Sequence, residues 1–327
     1  MDMGQIKEFL GSDWLKTESL IRSSLNSDID LLNATNKSVL AHSGKQLRPI
    51  LALLIARACS GGHTTSDTIK FAAASELLHN ATLFHDDVAD NSSERRGVPT
   101  VMSILGGRAS VLVGDFWLVK AMEDILDASV HGDVVIRLFA KTLSDLATGE
   151  MLQLEKASSG DTQEKDYLRI IYNKTASLFV AAGTSAAISV GASDELKEAV
   201  REYVMDLGLA FQIKDDIMDY EGGESLGKPA GQDLIEQKIT IPLIGALMNV
   251  DDQTASSVRK KVCEIDSHPE YVSEIQQFVK DNNGMQYARK RLDDFILNGI
   301  NALAILPESK EKEYLRRLAE FVAIRKS

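Results

Sequence analysis

Apolar residues recur at helical spacing along nearly the whole 327-residue chain, and the two-residue alternation of strands is nearly absent. That periodicity constrains the fold most, because a helix with one apolar stripe must bury it against other helices. Breaks fall at residues 60–66, 91–99, 157–165, 221–233 and 282–284. They divide the chain into helical stretches, which predicts an all-α antiparallel helical bundle around a deep central cavity. Pro49, Pro99, Pro242 and Pro269 agree, standing near apparent helix starts where proline is tolerated. No stretch has linker composition and no short repeat recurs, so residues 1–327 are expected to form a single domain.

Apolar residues make up 44% of the chain, enough for a large core. The longest small and apolar stretch, residues 178–192, is interrupted by Thr184 and Ser185 and reads as a closely packed core helix. No apolar run reaches the length of a membrane span. Cys59 and Cys263 fit no CxxC or Cys/His pattern, and no charged-then-apolar leader opens the sequence. A reducing, cytoplasmic setting without structural zinc is therefore expected. A formal net charge of −12 argues against a nucleic-acid partner, whose phosphates need a basic surface. It also argues against any phosphorylated ligand unless a bound cation inverts the local field.

The acidic residues ask for such a cation. Asp86-Asp87-x-x-Asp90 and Asp215-Asp216-x-x-Asp219 repeat one pattern, each crowding three carboxyls onto one side of a helical turn. A shuffled chain of this composition would hold about 0.2 such patterns, and two in only about one shuffle in fifty, so a merely solvated acidic face explains the pair poorly. Both copies also grow from apolar helices, after Leu77, Leu78, Ala81 and Phe84 in one case and Leu207, Leu209, Ala210 and Phe211 in the other. Unit charges about 4 Å apart repel by roughly 4 kcal/mol at an effective dielectric near 20, so facing clusters would need divalent metal. Carboxylate-held metal in turn suits a phosphorylated substrate.

Candidate anion-binding groups stand near both motifs. Lys45 and Arg48 precede a helical run opened by Pro49, although a solvated loop has the same composition. Arg95 and Arg96 follow Asp90 and could clamp phosphate bidentately or simply complement the helix C-terminus. His79 lies about two turns before Asp86, where a lone histidine is more often a satisfied boundary residue. Lys174 and Thr175 interrupt a small, apolar helix, and Gln212 shares the face of Asp215 and Asp216; polar groups at such positions need partners. Lys228 and Lys238 bracket a glycine-containing loop able to close over an anion.

In chain order, the run Gly44-Lys45-x-x-Arg48-Pro49, His79, His85-Asp86-Asp87-Val88-x-Asp90, Arg95-Arg96-Gly97-x-Pro99-Thr100, Gly114-Asp115, Gly149-Glu150-x-x-Gln153, Lys174-Thr175, Phe211-Gln212-x-x-Asp215-Asp216-x-x-Asp219, Gly227-Lys228 and residues 233–242 closely resembles the trans-isoprenyl (polyprenyl) diphosphate synthases. The resemblance implies the all-α isoprenoid synthase fold, a homodimer, and two aspartate motifs that hold three Mg2+ ions. By position, Asp86, Asp90 and Asp215 would be the principal metal ligands, with Asp87 and Asp219 in support. Arg95, Lys174, Lys238 and Lys228 would hold an allylic prenyl diphosphate, and Lys45, Arg48, His79 and Arg96 would hold isopentenyl diphosphate. Thr175 and Gln212 would border the allylic carbon. Gln46 stands where many relatives have arginine, and Glu94, where an apolar residue is common, could weaken the hold of Arg95 on phosphate.

Ala81 and Thr82, small residues before the first motif, would let a growing prenyl tail slide past, whereas bulky aromatics there stop growth early in the family. The expected enzyme is a medium-to-long-chain all-trans synthase. A geranylgeranyl- or farnesyl-forming enzyme, a terpene cyclase and a non-catalytic subunit of a heteromeric synthase are the other readings. The floor of the cavity, expected from other helices such as that of Trp117, is not legible. Arg325 could reach the isopentenyl site in a closed state, but reads rather as an exposed tail residue.

Overall fold

A computed structural model describes residues 2–95, 97–222 and 231–325. The backbone forms two compact units, one of Met1–Ala140, Ala181–Val200 and Ile305–Leu315, the other of Lys141–Val180, Arg201–Ala304 and Arg316–Ser327. Along the chain run α1 (Met3–Leu10), α2 (Ser12–Ser24), α3 (Asp30–Ala41), α4 (Leu47–Ser60), α5 (Ser66–Ala89), α6 (Val101–Leu105), α7 (Gly107–Leu126), α8 (Gly132–Ser159), α9 (Glu164–Ile171), α10 (Ser177–Ser189) and α11 (Asp194–Glu221). There follow α12 (Gln232–Ile235), α13 (Ile241–Leu247), α14 (Asp252–Cys263), α15 (Tyr271–Asp281), α16 (Gly284–Ala302) and α17 (Lys310–Ile324). The all-α expectation holds: among the described residues the only paired strands are β1 (Glu94–Arg95) and β2 (Val98–Pro99), a hairpin within the break read at 91–99. Among the same residues no helix is long and apolar enough to cross a membrane.

In the first unit α5 is the central element, packed against α2, α4 and α7. Every residue from Phe71 to Leu78 is buried, so the helix has no solvent face in its middle turns. A reciprocal cap starts it: Thr65 Oγ1 accepts from the Thr68 backbone N–H at 3.1 Å, while the Thr65 N–H donates to Thr68 Oγ1 at 3.0 Å. Its other end is a Schellman stop. Asn91 takes a left-handed φ of 50°, and the Ser92 N–H donates to the Asp87 carbonyl at 2.9 Å. The first acidic motif thus occupies the last turn of a buried helix. Below it, Trp117 meets Phe84 edge-on at 5.4 Å and donates its indole N–H to Asn36 Oδ1 at 2.8 Å.

In the second unit α13 packs on α16 and α15. A Cβ at Gly284 would lie 2.2 Å from the Pro242 carbonyl, so glycine sets how closely α16 approaches. Residues 172–176, between α9 and α10, form a π-helical turn closed by the Ser177 N–H on the Tyr172 carbonyl. The stretch read as a closely packed core helix is α10, where Ala181, Ala182, Ala186 and Ala187 are fully buried.

Candidate active site

Three carboxylates on the last turn of a helix face the negative end of its dipole, an arrangement that disfavours anions and favours a bound cation. The first acidic motif is built this way on the last turn of α5, and the second spans the last two turns of α11.

In the first, Asp87 is buried with 4% exposure, Asp86 is half-buried, and Asp90, the helix cap, is exposed. The hairpin pairs Glu94 with Pro99 and Arg95 with Val98, and so folds Arg95 back over the helix end. Arg95 Nε donates to Asp87 Oδ1 at 2.8 Å. Arg95 is therefore oriented by the motif itself, and Asp87 serves as its counter-charge. The turn between the strands uses Gly97 at φ 77°; Arg96 beside it lies outside the described residues. Thr100 ties the far side, its Oγ1 donating to the Ser92 carbonyl at 2.7 Å. Gly114 has a steric reason, since a Cβ there would fall 2.5 Å from His85 Nε2, which is 3.2 Å from Asp115 Oδ1.

The loop before α4 presents exposed Lys45, half-buried Arg48 follows in the first turn of α4, and Gln46 between them is buried in a left-handed conformation at φ 54°. Lys7 holds Gln46 there, donating to Oε1 at 2.8 Å while its ammonium sits 4.4 Å from the centre of the Trp14 ring. His79 is half-buried on α5, Ala81 is buried, and the Thr82 hydroxyl donates to the His79 carbonyl at 2.8 Å.

In the second unit the middle carboxylate is again the buried one. Asp216, 3% exposed, accepts from the Tyr167 hydroxyl at Oδ2 (2.6 Å) and from Gln212 Nε2 at Oδ1 (2.9 Å). Burial raises its pKa well above the carboxylate range, the charge of Asp233 adds to that, and the two hydrogen bonds oppose it. Asp219 accepts the backbone N–H groups of Gln232 at 3.0 Å and Asp233 at 3.2 Å, which makes it the cap of α12. Asp215 faces a cation from the far end of the chain: Arg325 Nη2 lies 2.7 Å from its Oδ1, donates to the Phe211 carbonyl at 2.8 Å and stacks on the Phe211 ring at 3.8 Å. Arg325 is only 7% exposed, which corrects its reading as an exposed tail residue. The aromatic face and the carboxylate together make burial of the guanidinium affordable in a way that no local signal around residue 325 reveals.

Lys174 and Thr175 sit on the π-turn. Such one-turn bulges recur at functional sites because they re-aim side chains without disturbing the flanking helix. Two glycines make room for it: a Cβ at Gly149 would lie 2.6 Å from Asn173 Cβ, and one at Gly208 would lie 2.6 Å from Ala176 Cα. Lys174 Nζ meets Glu150 at 2.6 Å, and the Thr175 hydroxyl donates to Gln212 Oε1 at 2.8 Å. Lys238 pairs with Glu236. A cavity of about 160 Å³ opens here, lined in part by Tyr167, Lys174, Gln212, Asp216, Asp233 and Lys238. Lys228 lies outside the described residues. Tyr167 and Asp233 are the site residues that sequence reasoning did not single out, and the contacts of Asp216 and Arg325 were not read either; of all these only the four-residue spacing of Gln212 and Asp216 gave a local signal.

Hard carboxylate oxygens suit magnesium. Among the described residues no three His, Cys, Asp or Glu side chains converge into a complete cage.

The sequence profile of the family described as Polyprenyl synthetase matches residues 29–281. The octaprenyl diphosphate synthase of Haemophilus influenzae is 36% identical over 320 residues, covering 98% of this chain and 96% of that protein. Among solved structures, a decaprenyl diphosphate synthase from Rhodobacter capsulatus superposes with a TM-score of 0.90 at 32% identity, covering 98% of each chain. A polyprenyl synthase from Caulobacter crescentus, complexed with calcium and isoprenyl diphosphate, gives 0.89 at 32% identity, covering 100% of this chain and 98% of that one.

Proposed function

Because this chain belongs to the polyprenyl synthetase family and is an all-trans polyprenyl diphosphate synthase of the medium-to-long-chain kind, we propose that its two acid-rich helix ends bind Mg2+ and that the cations around them hold two diphosphate substrates. The observation that carries this reading is the placing of three carboxylates toward the C-terminal, negative end of a helix twice in one chain. The match to residues 29–281 runs through both units, which supports one catalytic domain.

Asp86, Asp90 and Asp215 would be the direct ligands of three ions, with Asp87 and Asp219 supporting from their tied positions. Bound magnesium would neutralise charge on the departing diphosphate. Arg95, Lys174, Lys238 and Lys228 would grip the allylic diphosphate; Lys45, Arg48, His79 and Arg96 would grip isopentenyl diphosphate. The allylic C1–O bond breaks and its electron pair leaves with the diphosphate. The isopentenyl double bond supplies the pair for the new C–C bond, and a proton from the adjacent carbon passes to the released diphosphate. Thr175 and Gln212 border the carbon where positive charge develops, offering weakly nucleophilic oxygens in place of water.

A second copy of the chain is the proposed partner. Leu112, Val119 and Leu126 recur every seven residues on α7 and are 60%, 53% and 62% exposed, a stripe of the kind that helix pairing covers. The test is condensation by the purified chain alone, with isopentenyl diphosphate, several allylic primers and Mg2+, read by diphosphate release and product mass. Long-chain product that disappears with chelator is expected; no turnover without a second polypeptide would sink the reading.

A further inference from the structure

We propose that Tyr167 is a positioning residue of the condensation: by holding Asp216 it fixes the direction of the Thr175–Gln212 hydrogen bond, so that Thr175 offers oxygen lone pairs, and not its proton, to the allylic carbon. This rests on the placing of Thr175 and Gln212 beside that carbon.

The direction of each bond follows from what the groups can give. The group of Gln212 that meets Asp216 Oδ1 at 2.9 Å is the amide Nε2, which can only donate. The amide oxygen is then the end 2.8 Å from Thr175, and the single hydroxyl proton of Thr175 is committed to it. Tyr167 completes the chain from the other side, donating to Asp216 Oδ2 at 2.6 Å from a ring only 3% exposed. The donors Thr175, Gln212 and Tyr167 therefore all run toward Asp216. Turning the amide over would direct an N–H at Thr175 and free the hydroxyl proton to face a carbon that is becoming positive, where it would repel. Tyr167 opposes that reversal by occupying one carboxylate oxygen and leaving the other for the amide. Its own place is set by α9, whose Ile170 and Ile171 are buried one turn on.

Tyr167→Phe removes the hydroxyl and keeps the ring. The expected result is a kcat lowered about tenfold, equivalent to about 1.4 kcal/mol, with KM for both diphosphates held within about twofold. A 2-fluoro allylic diphosphate separates this from a general loss of packing. Fluorine destabilises the cation, so its retarding effect should grow severalfold in the variant. Thr175→Val in the same assays checks the underlying assignment, and in the double variant the two losses should be less than additive. Slow Thr175→Val beside wild-type-like Tyr167→Phe overturns the role of Tyr167 and leaves the site intact. Wild-type turnover by Thr175→Val overturns both. Should Tyr167→Phe not accumulate as folded protein, Asp216→Asn supplies the same readout, because an amide there can donate to the Gln212 oxygen; unchanged fluorine retardation then overturns the proposal.

Discussion

Asp215 and Asp216 are neighbours with opposite surroundings, one beside a guanidinium and the other enclosed by a tyrosine and an amide. The acidic pattern announces a cation but treats its three aspartates alike, because spacing reports which side of a helix they share and not what packs there. Tyr167 is 49 positions from Asp216, and Arg325 is 114 from Phe211; contacts at that range leave no local trace. If Asp215 ligates metal, Arg325 competes, since each unit of like charge at about 4 Å costs about 4 kcal/mol at an effective dielectric of 20. Arg325→Gln should therefore lower the Mg2+ concentration giving half-maximal turnover severalfold; a titration that leaves it in place or raises it would mark Arg325 as a support for Asp215. Ala81, buried on α5 beside Gly114 of α7, carries the chain-length proposal. Ala81→Phe should shorten the product distribution, read by mass spectrometry, at a stability cost of about 1–3 kcal/mol from overpacking.

At the scale of elements, the helices themselves were legible because a stripe of apolar residues is a direct record of burial. The breaks at 60–66, 91–99 and 282–284 coincide with the ends of α4, α5 and α15. Short turns, such as those between α2 and α3, α7 and α8, and α10 and α11, were not read as breaks, and two further features escaped for physical reasons. Strands of two residues are too short for alternation to register, so the hairpin that brings Arg95 onto Asp87 read as a plain loop. The π-turn at Tyr172–Ala176 has an ordinary helical composition, and its cause lies in Gly149 and Gly208 on other helices. Gly208→Ala should therefore act on the turn. A methyl 2.6 Å from Ala176 Cα forces backbone to move, so about 1–3 kcal/mol of stability should be lost in denaturant titration, together with activity. An active Gly208→Ala of unchanged stability would show that the turn does not need this clearance.

For the molecule as a whole, the all-α architecture was readable, whereas the grouping of helices was not, since periodicity says that a face is covered without saying by what. α8, α10, α11 and α17 each contribute residues to both units. Two buried carboxylates give the stability a pH dependence. Asp124 and Asp206 are each pushed up to about 6, chiefly by burial. Their folded pKa values exceed the unfolded ones, so the stability they contribute is complete below about pH 4 and is lost as pH rises through about 6. A gap of about 2 units corresponds to at most about 3 kcal/mol for each. Asp206→Asn should raise Tm at pH 8 and leave it unchanged at pH 4; an equal shift at both would point to packing and not charge. Leu112→Glu should turn a dimer into a monomer in light scattering, and a wild-type chain already monomeric would remove α7 as a pairing surface. The location of Arg325 also bears on handling. A purification handle fused after Ser327 would begin three residues beyond a side chain lodged against Asp215, so its bulk would pull on the ion pair that Arg325 makes with that carboxylate.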